Sequence, residues 1–101
     1  MDPFKPYESK LRPAQIRITP GDAEVVALQA VGWIVADDGL LSRFVMLTGC
    51  GAEELRRHVD QPAFLGSVLD FLLGNEPDVL AFAAHAGLAP ETVLLARAGL
   101  P

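Results

Sequence analysis

The chain has one cysteine among its 101 residues, Cys50, so no internal disulfide can form. One thiol cannot by itself build a zinc site, which takes four ligands from Cys, His or carboxylates. A buried thiol without a redox role is the expectation. No apolar run approaches the roughly 18 to 20 residues needed to cross a bilayer. The opening, MDPFKPYESK, shows neither an apolar h-region nor a small-residue cleavage site. These absences predict a soluble, cytoplasmic protein. Lysine is missing beyond Lys10, and from Pro20 onward four arginines face eleven carboxylates, a balance of −7. A surface of that sign repels phosphate, so the sequence-independent attraction behind most nucleic-acid binding is excluded from this part of the chain. Histidine is scarce too: His58 and His85 stand at no known catalytic or ligating spacing from Cys50 or from the acids. Glycines punctuate the chain without clustering into a phosphate loop. Neither an enzyme nor a cofactor or metal site is predicted.

Residues 1–18 are a separate region, with Lys5, Lys10, Arg12 and Arg17 against Asp2 and Glu8, a balance of +2, and with Pro3, Pro6 and Pro13 interrupting any period. They predict a flexible basic arm ahead of a single helical domain over 19–101. Ile16 and Ile18 are read as tethering that arm to the body.

The body is organised around 60–73, DQPAFLGSVLDFLL, where apolar residues cover nearly the whole wheel and leave only Gly66, Ser67 and Asp70 as a thin polar stripe. Asp60 is expected to cap this helix and Pro62 to occupy its first turn. Before it, Thr19, Pro20 and Asp22 predict a capped helix running to about residue 36. Asp37-Asp38-Gly39 reads as a turn, followed by a helix over about 40–48 with Leu40, Leu41, Phe44, Val45 and Leu47 inward and Gly49 as a left-handed stop. A short helix over about 52–58 buries Leu55 and presents Glu53–Arg57 and Glu54–His58 as exposed pairs. Gly74-Asn75 and Pro77 then break the chain and start a helix over 76–86, ended by Gly87. Pro90 opens the last helix, about 90–98. The fold class is all-α, five to six short helices with helix-turn-helix-like turns.

A shift of 38 residues superimposes Asp22 on Asp60, Phe44 on Phe82, Gly49 on Gly87 and Glu53 on Glu91, with the large apolar positions following in register. This agreement predicts two tandem three-helix units. The segments FVMLTGCGAEELRRH and FAAHAGLAPETVLLA both carry the glycine-centred spacing of a helix-turn-helix. Their second helices open with acids or apolar residues where reading base edges needs Arg, Lys, Asn or Gln. DNA or RNA binding, which would rest on the arm with Arg56 and Arg57, is therefore the weaker alternative.

The two units differ where copy one has Arg56 and Arg57 and copy two has Leu94 and Leu95. Val93, Leu94 and Leu95 span about 200° of helix, too wide an arc for one core to cover. Leu94 and Leu95, with Leu100 just beyond, are the candidate interface for a protein partner or a second copy, a homodimer being the simplest form.

The stretches AEVVALQAVGWIVADD, RFVMLTGCGAEELR, DQPAFLGSVLDFLL and FAAHAGLAPETV, spread over about 22–93, resemble a family of small all-helical proteins of unknown function found mainly in alphaproteobacteria. Cys50-Gly51 departs from the leucine and polar cap expected after that glycine. The resemblance implies a bacterial all-α protein and carries no activity, cofactor or catalytic residue.

Overall fold

The computed structural model describes residues 18–101 of the chain. The expected arm lies outside these residues except for Ile18, which packs against the core. Six α-helices and no strand form the described part: α1 Pro20–Val35, α2 Asp38–Thr48, α3 Ala52–His58, α4 Pro62–Leu73, α5 Glu76–Ala86 and α6 Pro90–Ala98. Helices α1 and α4 lie against each other, and α5 and α6 pack on both. The centre is therefore shared by α1 and α4. Small residues of α1, Ala23, Ala27 and Ala30, are fully buried and let its neighbours approach closely, while Ile34, Leu65, Val68, Leu69 and Leu72 fill the space between. Phe44 and Phe82 close the core from α2 and α5 with no exposed surface.

Local chemistry sets most of these boundaries. The Thr19 hydroxyl accepts the Asp22 N–H at 3.0 Å and the Asp22 carboxylate accepts the Thr19 N–H at 3.5 Å, a reciprocal cap of the kind expected before Pro20. Asp37 caps α2 by accepting the Leu40 N–H at 3.0 Å, and Asn75 caps α5 by accepting the Asp78 N–H at 3.4 Å. Helix α2 therefore starts at Asp38 and not at Leu40: the turn-forming aspartate is itself the cap. Helices α2 and α5 both have 11 residues and stand 38 residues apart at either end.

Helix α4 begins one residue later than expected. Gln61, with φ −99° and ψ 117°, takes the capping position, and Asp60 lies outside the helix. Proline at the first helical position forces the residue before it into extended backbone, which fixes the boundary regardless of the better capping side chain one position earlier.

Gly49 and Gly87 adopt φ of 72° and 71°, as the turns predict. The Gly49 N–H closes on the Val45 carbonyl at 2.7 Å, and the Leu88 N–H reaches back to the Ala83 carbonyl at 2.8 Å. A residue with a side chain loses roughly 1 to 2 kcal/mol in this conformation, and β-branching adds to that. Urea unfolding of Gly49→Val and Gly87→Val should each show a loss of about 2 kcal/mol or more; a loss below about 0.5 kcal/mol would mean the turn does not need its glycine.

Two side chains do not lie where the helical wheel puts them. Leu47, expected inward, is 72 % exposed. It shares an azimuth with Leu40 but sits in the last turn of α2, where it lines an open cleft with Arg43, Asp70, Phe71 and Asn75. Gly66, expected on the polar stripe, is buried. The end of the chain folds back over it: Arg97 pairs with Asp70 through Nε at 2.6 Å and Nη2 at 3.2 Å, and its Nη1 donates to the carbonyls of Leu100 at 3.1 Å and Pro101 at 3.0 Å. A methyl group on Gly66 would lie 2.8 Å from the Pro101 carbonyl oxygen and 3.1 Å from Arg97 Nη1.

Gly32, at the start of the last turn of α1, has open space around it. Alanine in a helix interior is ordinarily worth about 0.5 to 1 kcal/mol over glycine. Gly32→Ala should therefore raise stability by that amount. Gly66→Ala should lower it by about 1 kcal/mol, because the clasp around Arg97 must open. Thermal unfolding of the pair checks the opposite signs, and two stabilising substitutions would contradict the packing of residues 97–101 on α4.

Candidate functional site

Helices α5 and α6 meet at a bend of 102° at the Gly87 turn. Helix α5 is held in place on two sides. Phe82 packs against Trp33 of α1 with ring centroids 5.6 Å apart. Asp78 forms an ion pair with Arg43 of α2, whose guanidinium also lies over the Phe71 ring of α4, 5.4 Å from its centroid. Helix α6 is fixed by Val93 and Ala96, both fully buried, and by the Arg97 clasp. The hydrogen bonds that Arg97 donates to Asp70 push its pKa above the usual value, burial opposes the rise and the Asp70 charge adds to it.

With those faces committed inward, α5 and α6 turn two leucines outward: Leu80 is 51 % exposed and Leu94 58 %. Both line an open groove of about 250 Å³, together with Leu73, Glu76, Val79, Pro90 and Glu91. Its lining is mostly apolar, with Glu76 and Glu91 as the two charged members.

The equivalent positions of α2 and α3, 38 residues earlier, read differently. Leu80 corresponds to Ser42 and Leu94 to Arg56, both exposed and polar, while Glu76 and Glu91 correspond to Asp38 and Glu53. The two helix pairs share their starts and the buried positions Phe44/Phe82 and Leu55/Val93, and they differ in the residues that stand at Leu80 and Leu94. Leu94 was legible in the sequence. Leu80 was not singled out, although its pairing with Ser42 in the 38-residue register is the signal that finds it.

The other candidate residues fall in several places. Leu95 is half-buried and Leu100 is 8 % exposed, packed in the core, so Leu100 offers no surface to a partner. Arg56 and Arg57 are exposed in the last turn of α3, where with His58 they suit the negative end of the helix dipole. Among the described residues neither expected pair, Glu53–Arg57 nor Glu54–His58, forms a salt bridge. Glu54 instead accepts the Gly51 N–H at 3.4 Å at the start of its own helix.

Cys50 is half-buried beside Glu54, and its thiol is pushed above the ordinary cysteine value, first by burial and then by the Glu54 charge. Both effects oppose formation of the thiolate, which is the reactive form. His85 is exposed. Among the described residues no group of three or more His, Cys, Asp or Glu is placed to hold a metal ion.

No single described helix is long and apolar enough to cross a membrane. Further exposed apolar residues, Val25, Leu28, Met46 and Leu47, lie on α1 and at the end of α2.

Comparison with known proteins adds a family and no activity. The model of a family described as a protein of unknown function (DUF3572) matches residues 20–101. No curated protein and no solved structure matches the chain.

Proposed function

We propose, on the premise that this chain belongs to the DUF3572 family of proteins of unknown function, that it is a non-catalytic helical interaction module that associates with itself through the α5–α6 groove. Membership rests on a match across all six helices and supplies no substrate or mechanism. One observation carries the proposal: Leu80 and Leu94 stand half or more exposed in one groove lined mostly by apolar residues, while the residues 38 positions earlier, Ser42 and Arg56, are polar. An exposed leucine alone means little, but two that line one groove give a partner a shared apolar contact. A second copy satisfies it because each copy brings an identical patch, and a twofold axis buries both at once.

Sedimentation equilibrium of the full chain over low to high micromolar concentration tests this reading. The expected mass rises to twice that of one chain, and a single-chain mass throughout would end the self-association claim.

The nucleic-acid alternative has less support. The second helix of the α5–α6 turn opens with Pro90 and Glu91, and that of the α2–α3 turn with Ala52, Glu53 and Glu54, none of which reads a base edge as a cation or amide does. The exposed Arg56 and Arg57 stand at the wrong end of α3 for that geometry. No useful affinity for duplex DNA or RNA is expected at about 150 mM salt, where a contact resting on phosphates is already weakened. Sub-micromolar binding that disappears on joint Arg56→Ala and Arg57→Ala substitution would reverse this ranking.

A further inference from the structure

The open cleft beside Leu47 has a volume of about 440 Å³ and shares no lining residue with the α5–α6 groove. Small-molecule sites span roughly 300 to 1,000 Å³, so the space is sufficient. Two separate ion pairs each give it one member. Arg43 lines the cleft but its partner Asp78 does not, and Asp70 lines it but its partner Arg97 does not. The cleft therefore holds one cation and one anion that are not paired with each other.

Both charges are fixed from outside and accessible from within. Arg43 is held by Asp78 through Nη2 and by the Phe71 ring beneath its guanidinium, and among the described residues its Nε and Nη1 donate to no partner. Asp70 receives Nε and Nη2 of Arg97, one on each oxygen, and each oxygen keeps a further lone pair. The two side chains remain 42 % and 58 % exposed. Neighbouring groups extend the same division. The Asn75 Oδ1 accepts the Asp78 N–H at 3.4 Å, which leaves its amide nitrogen to donate. Thr48 and Ser67 give their hydroxyl hydrogens to the carbonyls of Phe44 at 2.7 Å and Ala63 at 3.3 Å, which leaves their oxygens to accept. Leu47 and Phe71 supply apolar surface.

We propose that this cleft binds a small zwitterion with an apolar side chain, an apolar amino acid being the simplest: its carboxylate meets Arg43 and Asn75, its ammonium meets Asp70, and its side chain covers Leu47. The planar guanidinium suits a carboxylate, and an ammonium on Asp70 makes a charge-assisted hydrogen bond. A body at −7 disfavours a free carboxylate, and Arg43 disfavours a simple amine, whereas a zwitterion carries no net charge. The proposal goes beyond self-association and does not depend on it.

Titration of L-leucine into the ¹⁵N-labelled full-length chain, followed by amide chemical shifts, tests it. Saturable shifts are expected within residues 43–48 and 67–75. Three fragments of the ligand should each bind roughly tenfold more weakly or worse: 4-methylpentanoate, which lacks the ammonium; 3-methylbutylamine, which lacks the carboxylate; and glycine, which lacks the apolar side chain. Equal affinity for leucine and any one of the three would overturn the proposal. So would saturable shifts confined to residues outside the cleft, or none up to the solubility limit of leucine.

Two variants assign the contacts. Leu47→Ser, at a position mostly in solvent, should keep its helical signal and weaken leucine roughly tenfold. Arg43→Lys keeps the charge and loses the fork, so it should weaken leucine and 4-methylpentanoate while leaving 3-methylbutylamine unchanged. Unchanged leucine affinity in Leu47→Ser would overturn the apolar contact, and equal loss of all three ligands in Arg43→Lys would make Arg43 a prop of the fold and overturn its role as the carboxylate's partner.

Discussion

Phe44→Ala is expected to lower the stability of the domain by about 3 to 5 kcal/mol, the usual range when a buried phenylalanine is truncated. Its ring has no exposed surface and meets Phe71 and Phe64 edge-on, with centroids 5.2 Å and 6.4 Å away at 84° and 85°. Edge-to-face pairs of this kind are worth about 0.5 to 1.5 kcal/mol beyond the area they bury, which places the loss in the upper part of the range. A domain of this size is held by roughly 4 to 12 kcal/mol in all. One substitution therefore removes a third of that stability or more, and the melting temperature should fall by roughly 15 °C or more.

The consequence reaches the groove. Phe71, which Phe44 supports, also carries the guanidinium of Arg43, and Arg43 holds α5 through Asp78. Phe44→Leu, which retains most of the apolar volume, should cost less than half as much. Urea unfolding checks both, and a loss below about 1 kcal/mol for alanine would show that Phe44 is not a keystone of the core.

The second large effect is on association. Leu94→Arg places at position 94 the residue type found 38 positions earlier, at Arg56. Leu94 is 58 % exposed, so the folded protomer has room for a longer side chain there, and stability should change by less than about 0.5 kcal/mol. The dimer has no such freedom. A leucine fully buried contributes roughly 1.5 to 3 kcal/mol, and a twofold contact loses two of them. Even at half that contribution the dissociation constant rises about tenfold, and at the upper end by more than a thousandfold. Leu95 is half-buried, so adding Leu95→Arg should deepen the effect while costing some stability.

Helices α3, α5 and α6 have the boundaries that residue patterns predicted, because the signals that bound them are local: Asn75 and Pro77 at the start of α5, Gly87 at its end, and Pro90 opening α6. The error at Asp60 was also local. Two signals competed within three residues, and the stiffness of Pro62 outweighed the better capping side chain. The misplacements of Gly66 and Leu47 have a different origin. A helical wheel gives the azimuth of a residue but not what faces it. Gly66 is buried by Arg97 and Pro101, more than thirty residues later in the chain, and Leu47 is bare because it lies along an open cleft.

The candidate site was half legible for the same reason. Leu94 stood out inside an apolar triplet, whereas Leu80 looks like an ordinary position of α5 until the packing of Val79 and Phe82 shows which way it points. Leu100 was read as surface because it follows the last helix, yet the turn after Ala98 carries it back into the core.

The most direct measurement is the mass of the unmodified chain and of Leu94→Arg by light scattering at the same high micromolar concentration, with circular dichroism on both. Self-association through the α5–α6 groove predicts two chains for the first and one for the second, with equal helical signal. A single chain for both, or two chains for both, would contradict it.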